Sequence, residues 1–217
     1  MDPVESRSRI TLTQFTNTFV PFALLLAAAL MAPELPYILD HHRAVYTIDA
    51  LTYYRAVYTI WLTIAFMIPA LALYFWPGES DRKTNYWRLC WTFAYLAYLV
   101  HFYYTVGKVF HWSLREVYAA QGFVIATSNF LDTAWWGFDL ALAWFVSSRA
   151  KWIRVQRTLA HLYIPATFFV SAVVIKHGVV RWLGLLMTAA LVVGIAVRLI
   201  RRKKQRHAPA AATAGAA

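Results

Sequence analysis

The 217-residue chain is 60% apolar and only 14% Asp, Glu, Lys and Arg, against roughly 25% charged residues in an ordinary soluble domain. Its net charge of +11 comes from 21 Lys and Arg against 10 Asp and Glu; those bases sit between long apolar runs instead of interleaving with aromatics on one face, which argues against a nucleic-acid partner. The single Cys90 excludes an internal disulfide, a Cys-based zinc site and a Cys-ligated iron–sulfur cluster, and what remains is an all-α, polytopic membrane protein.

A helix needs roughly 20 apolar residues to cross about 30 Å of hydrocarbon, because in lipid every backbone N–H and C=O must find its partner within the protein. Six segments qualify: 15–31, 57–75, 89–110, 122–146, 157–175 and 181–200. They predict a six-helix transmembrane bundle over 15–200, a cytoplasmic N-terminus over 1–14, and a basic, disordered cytoplasmic tail over 201–217. The first span is read as retained. Asp2 and Glu5 are foreign to the start of a signal peptide, and Leu30 and Ala32 make a poor cleavage pair. Pro21, Pro69 and Pro165 fall inside spans and predict kinks.

Between the first two spans, the hexamer Arg-Ala-Val-Tyr-Thr-Ile occurs at 43–48 and again at 55–60. A repeat used once is too short for a solenoid, and 44–54 reads as an amphipathic external helix or re-entrant segment. Orientation follows from the bases. Arg7 and Arg9, then Arg82, Lys83 and Arg88, then Arg149, Lys151, Arg154 and Arg157, then six from Arg198 to Arg206 place 15 on one side, against 6 on the other. The positive-inside bias therefore predicts that both termini are cytoplasmic, in an inner or plasma membrane, with the last basic run touching anionic headgroups. Trp76, Trp112, Trp144 and Trp182 read as an aromatic belt.

Ionisable side chains at membrane depth are costly and default to functional candidates. Four stand out: His101 in the third span, Asp132 and Asp139 in the fourth, and His161 in the fifth. At 1.5 Å per helical residue, His101 and Asp132 both lie roughly 15 Å below the outer boundary, with Asp139 about 10 Å deeper and His161 near that level. Asp132 and Asp139 are seven residues apart and share a helix face. The expectation is a buried polar seam through spans three to five, with Asp132 opposite His101 and Asp139 opposite His161. Interhelical hydrogen bonding alone, worth about 0.6–2 kcal/mol per contact, is the structural alternative. His111 and His177 close the outer ends of the third and fifth spans, and imidazoles so placed suit a metal or haem iron.

The third span contains Phe93-Ala94-Tyr95-Leu96 leading to Val100-His101-Phe102-Tyr103-Tyr104, and the fifth contains Leu159-Ala160-His161-Leu162-Tyr163 after the basic stretch 151–157. In hydropathy and histidine placement this region resembles the ferric reductase-like transmembrane domain, a six-helix electron-transfer family. The resemblance implies b-type haem, with His101, His161 and His177 as candidate axial ligands and His111 a further one. It also implies a membrane redox subunit served by a separate donor protein or a quinone, in which the aspartates tune the cofactor or carry protons. Two other readings are open: a small proton- or cation-coupled transporter using the polar seam, and a non-catalytic assembly subunit. No nucleophile–base set of a soluble hydrolase is present.

Overall fold

The computed structural model describes residues 9–34, 48–78, 80–146, 148 and 150–207. Among these the chain is all-helical. Six long helices follow in order: α1 (Leu12–Met31), α2 (Ile48–Phe75), α3 (Asp81–Phe102), α4 (Leu114–Phe145), α5 (Lys151–Phe169) and α6 (Val179–His207). Four of them, α1, α2, α5 and α6, are long and apolar enough to cross a membrane. The Tyr-, Trp-, Ser- and Thr-rich α3 and α4 fall short of that by composition. α2 packs most extensively against α3 and α6.

Local sequence explains the helix starts. Thr11 and Gln14 form a reciprocal capping box on α1, Thr11 Oγ1 accepting from the Gln14 amide at 3.2 Å and Gln14 Oε1 from the Thr11 amide at 3.0 Å. Ser80 caps α3 through the Lys83 amide at 3.2 Å, and Ser113 caps α4 through the Glu116 amide at 3.3 Å. Lys83 turns back to donate to the carbonyls of Trp76 and Gly78, closing the end of α2. Within the helices, Thr18, Thr59, Thr63, Thr92, Thr158 and Thr188 each donate to the carbonyl four residues earlier. That is how an apolar bundle accommodates hydroxyls.

Several boundaries differ from the sequence reading. α2 begins at Ile48 and runs unbroken to Phe75, so the described part of 44–54 is its first turns and no separate element. Arg55 explains the extension: it donates to the Leu30 carbonyl at 3.1 Å and pairs with Glu34, tying the start of α2 to the end of α1. The first copy of the hexamer up to Thr47, with His41 and His42, lies outside the described residues. α6 continues to His207, through basic residues assigned to the tail; residues 208–217 lie outside the description. The prolines do not interrupt their helices. Non-helical backbone instead appears at Gly122, with φ 77° and ψ 162°, and α3 and α5 end in π-helical turns, Tyr103–Val109 and Val170–Ile175.

The core is aromatic. Phe22 stacks on Phe93 at 4.7 Å and meets Phe66 edge-on at 5.5 Å, locking α1 to α2 and α3. Large apolar side chains such as Leu24, Leu25, Phe123, Leu186 and Val192 face outward, as a lipid-facing shell requires. Trp76, Trp112 and Trp182 are exposed, but Trp144 is only half so. Its indole donates to Thr92 at 2.9 Å and lies under the Arg88 guanidinium.

Candidate functional site

One face of α4 carries Asp132, Trp136, Asp139 and Ala143, all buried at three- and four-residue spacing. Around it α3 and α5 build two polar sites of opposite character, one on each side of Trp136.

Asp139, at 0% exposure, has its carboxylate fully engaged. Oδ2 accepts from Trp91 Nε1 at 3.0 Å; Oδ1 accepts from Gln156 Nε2 at 2.8 Å and from Arg157 Nε at 3.4 Å. His161 Nδ1 is 3.8 Å from Oδ2. The imidazole is committed elsewhere, with Nδ1–H donating to the Arg157 carbonyl and Nε2 accepting from Trp87 Nε1, at 2.8 and 2.9 Å. Tyr74 and Trp91 cover its ring at centroid distances of 4.0 and 4.2 Å. The Arg157 guanidinium also lies over Trp87, 5.1 Å from the ring centroid. Both carboxylate oxygens and both imidazole nitrogens are engaged, so the buried acid and histidine form a satisfied network.

Asp132 sits at the opposite extreme. It is 1% exposed, Oδ2 accepts from Thr167 Oγ1 at 2.6 Å, and Oδ1 is buried without a partner. It lies at the floor of a cavity of about 560 Å³ between the start of α2, the end of α3, the start of α4 and the end of α5. Tyr98, His101, Asn129 and Thr167 share the deep part of the wall; Lys176 and His177 stand at the mouth. Tyr98 donates to the Asn129 carbonyl at 2.9 Å and Asn129 to Gln121 Oε1 at 2.9 Å, whereas the Trp61 Nε1 on the same wall is, like Asp132 Oδ1, buried without a partner. His101 Nδ1–H donates to the Ala56 carbonyl at 2.8 Å, leaving Nε2 with a 3.4 Å contact to Thr105.

The predicted residues thus separate into groups. Asp139 and His161 come together. Asp132 and His101 line one cavity with His177, but the direct partner of Asp132 is Thr167. His111 is exposed at the bundle end, its side chain 77% accessible, 3.6 Å from Glu116. Sequence reasoning missed Thr167, Trp87, Gln156 and Arg157. Arg157 stands one helical turn before His161 and so shares its face, a signal that was available but hidden behind its role in the charge count. Thr167 lies six residues beyond His161, and Asp132 seven before Asp139; on antiparallel helices those steps bring Thr167 level with Asp132.

A haem-iron ligand needs a free imidazole nitrogen and room for a macrocycle beside it. His161 does not fit: both nitrogens are hydrogen-bonded and aromatic rings cover both faces. His101 fits better, because a ligating His commonly donates its other N–H to a carbonyl. Among the described residues no three His, Cys, Asp or Glu side chains converge to hold a metal ion. No protein-family model, curated protein or solved structure matches the chain.

Proposed function

We propose that this chain is a small membrane transporter in which Asp132 binds a proton or cation coupled to solute movement through the space between α2, α3, α4 and α5. The observation that carries the reading is the contrast along α4. Asp132 ends a cavity open at one end of the bundle and keeps an unused carboxylate oxygen, whereas Asp139, two turns on, is locked. Trp136, at 0% exposure, separates them and packs 4.5 Å from Trp91 and 5.7 Å from Tyr98. An access cavity on one side, a buried acid at its floor and an aromatic barrier beneath it are the parts of a one-side-open carrier. The charge bias orients the cavity outward, with both termini cytoplasmic in an inner or plasma membrane.

The test is proton flux in liposomes containing purified protein and an entrapped pH-sensitive dye. Asp132→Asn, eluting as the parent does from a sizing column, is expected to reduce flux at least ten-fold. Unchanged flux overturns the reading.

A second reading is favoured by His101 alone. Its Nδ1–H is tied to Ala56 while Nε2 keeps only the long Thr105 contact, and His177 lines the same cavity. These two, and not His161, would hold a b-type haem, which when bound would supply one-electron transfer fed by a separate donor or quinone. A Soret band in protein purified from haem-replete cells, lost in His101→Ala, supports it; colourless protein removes it.

A further inference from the structure

The cavity also says what kind of molecule it takes. A carboxylate oxygen at 1% exposure with no donor is an unmet requirement, since a buried polar group left unpaired costs about 1–3 kcal/mol, and more if charged. Nothing cationic in the described structure meets it: no Lys, Arg or His nitrogen makes an ion pair with Asp132. Lys176, the one Lys or Arg on the wall, is exposed at the mouth. It lies nine residues along the α5 chain from Thr167, hence roughly a dozen ångströms from the acid. Thr167 already serves the other oxygen. Among the described residues no side chain supplies the missing partner, which has to bring an N–H or O–H donor to Oδ1 and, if the acid is ionised, positive charge.

The rest of the wall narrows the choice. Tyr98, Phe102, Phe130, Phe168 and Trp61 surround the space. Aromatic faces attract organic cations through the ring quadrupole and bury an apolar body. The deep amides and the Tyr98 hydroxyl are engaged with one another or with backbone, so they offer little to a solute rich in hydroxyls or phosphates. A divalent metal ion would find Asp132 as the one carboxylate on the wall, and among the described residues no three His, Cys, Asp or Glu side chains converge.

We propose that the Asp132 cavity is a binding site for a lipophilic primary or secondary amine, its ammonium donating to Asp132 Oδ1 and its apolar body lying among the aromatic side chains. This rests on the transport reading only for its biological setting; the site itself is defined by the cavity and the carboxylate.

Calorimetric titration of the detergent-purified full chain with 2-phenylethylamine and with 2-phenylethanol, each corrected for binding to empty micelles, tests it. The two probes share a ring and chain and differ in the ammonium. The amine is expected to bind at least ten-fold more tightly, and Asp132→Asn to abolish that preference. Ile125→Trp, which narrows the cavity without touching the acid, should weaken both probes. Equal binding of amine and alcohol by the parent protein overturns the proposal whether or not Asp132→Asn folds, as does a preference retained by that variant. Amine binding without proton-coupled flux keeps the site and removes the transport reading; flux without amine preference does the reverse.

Discussion

Trp87 holds His161 in one orientation: its indole donates to Nε2, while the Arg157 carbonyl takes the proton of Nδ1. Trp87→Phe keeps a ring against Tyr74 and Arg157 but strands a fully buried acceptor, which should cost about 1–3 kcal/mol. The expected result is a lower unfolding midpoint in detergent with no change in flux or amine binding, because this network lies beyond Trp136 from the cavity. An altered amine affinity would mean that the two sites are coupled. This is also the scale at which the sequence was partly legible. Spacing and polarity put Asp132 and Asp139 on one face and brought Asp139 to His161. Depth alone could not choose between His101 and Thr167 as the partner of Asp132, because both lie near its level and a hydroxyl carries no charge to attract notice. Arg88 and Arg157 were counted as topological charges. Arg88 is in fact 8% exposed, with Nη2 donating to Asn85 at 3.0 Å, and Arg157 reaches Asp139. A basic residue near a helix end can serve both roles, since its long stem lets the head reach inward or outward.

Among the elements, α4 carries the clearest conformational requirement. Gly122 adopts φ 77° and ψ 162° with nothing within 4 Å of where a Cβ would stand, so the demand comes from the backbone and not from crowding. That region is essentially confined to glycine, and other residues forced into it lose about 1–3 kcal/mol. Gly122→Ala should lower the thermal midpoint accordingly. The break is adjacent to Gln121, which lines the cavity and accepts from Asn129, so amine affinity should fall as well. An unchanged midpoint would show that the first turns of α4 readjust freely. The apolar runs fell on all six helices, and four of these, α1, α2, α5 and α6, have the length and hydropathy that crossing lipid imposes. They missed the extended starts of α2, α3 and α4 and the end of α6 for a related reason: helix continues past hydrocarbon wherever a local tie or cap favours it, as Arg55 does through Leu30 and Glu34 and Ser80 and Ser113 do as caps, and hydropathy does not register such ties. Gly122 marked the start of the fourth span in the sequence; in the structure it is a break inside α4, eight residues after the helix begins at Leu114.

At the scale of the whole molecule, the cavity and the sealed network lie toward opposite ends of the bundle, so the direction in which solute or charge is taken up depends on how the bundle sits in the membrane. Arg9, Arg82, Lys83, Lys151 and Arg154 are at the Asp139 end with the last turns of α6, and together with the sequence bias of 15 bases to 6 this predicts that the cavity opens to the outside. Cys90, the only cysteine, is buried, so the parent protein should react weakly with a bulky thiol reagent and engineered cysteines can be read against a low background. Glu116→Cys lies at the cavity end on an exposed position, and Asp81→Cys at the exposed start of α3 on the opposite end. In intact cells a membrane-impermeant maleimide is expected to label Glu116→Cys and to spare Asp81→Cys until the cells are opened. The reverse pattern would place the cavity on the cytoplasmic side and turn Asp132 into an acceptor for cytoplasmic amines, with the same site chemistry and the opposite direction of transport. Labelling of both positions in intact cells would mean that the chain inserts in two orientations. The charge bias of 15 to 6 opposes that outcome, because each misplaced basic connection would have to be translocated.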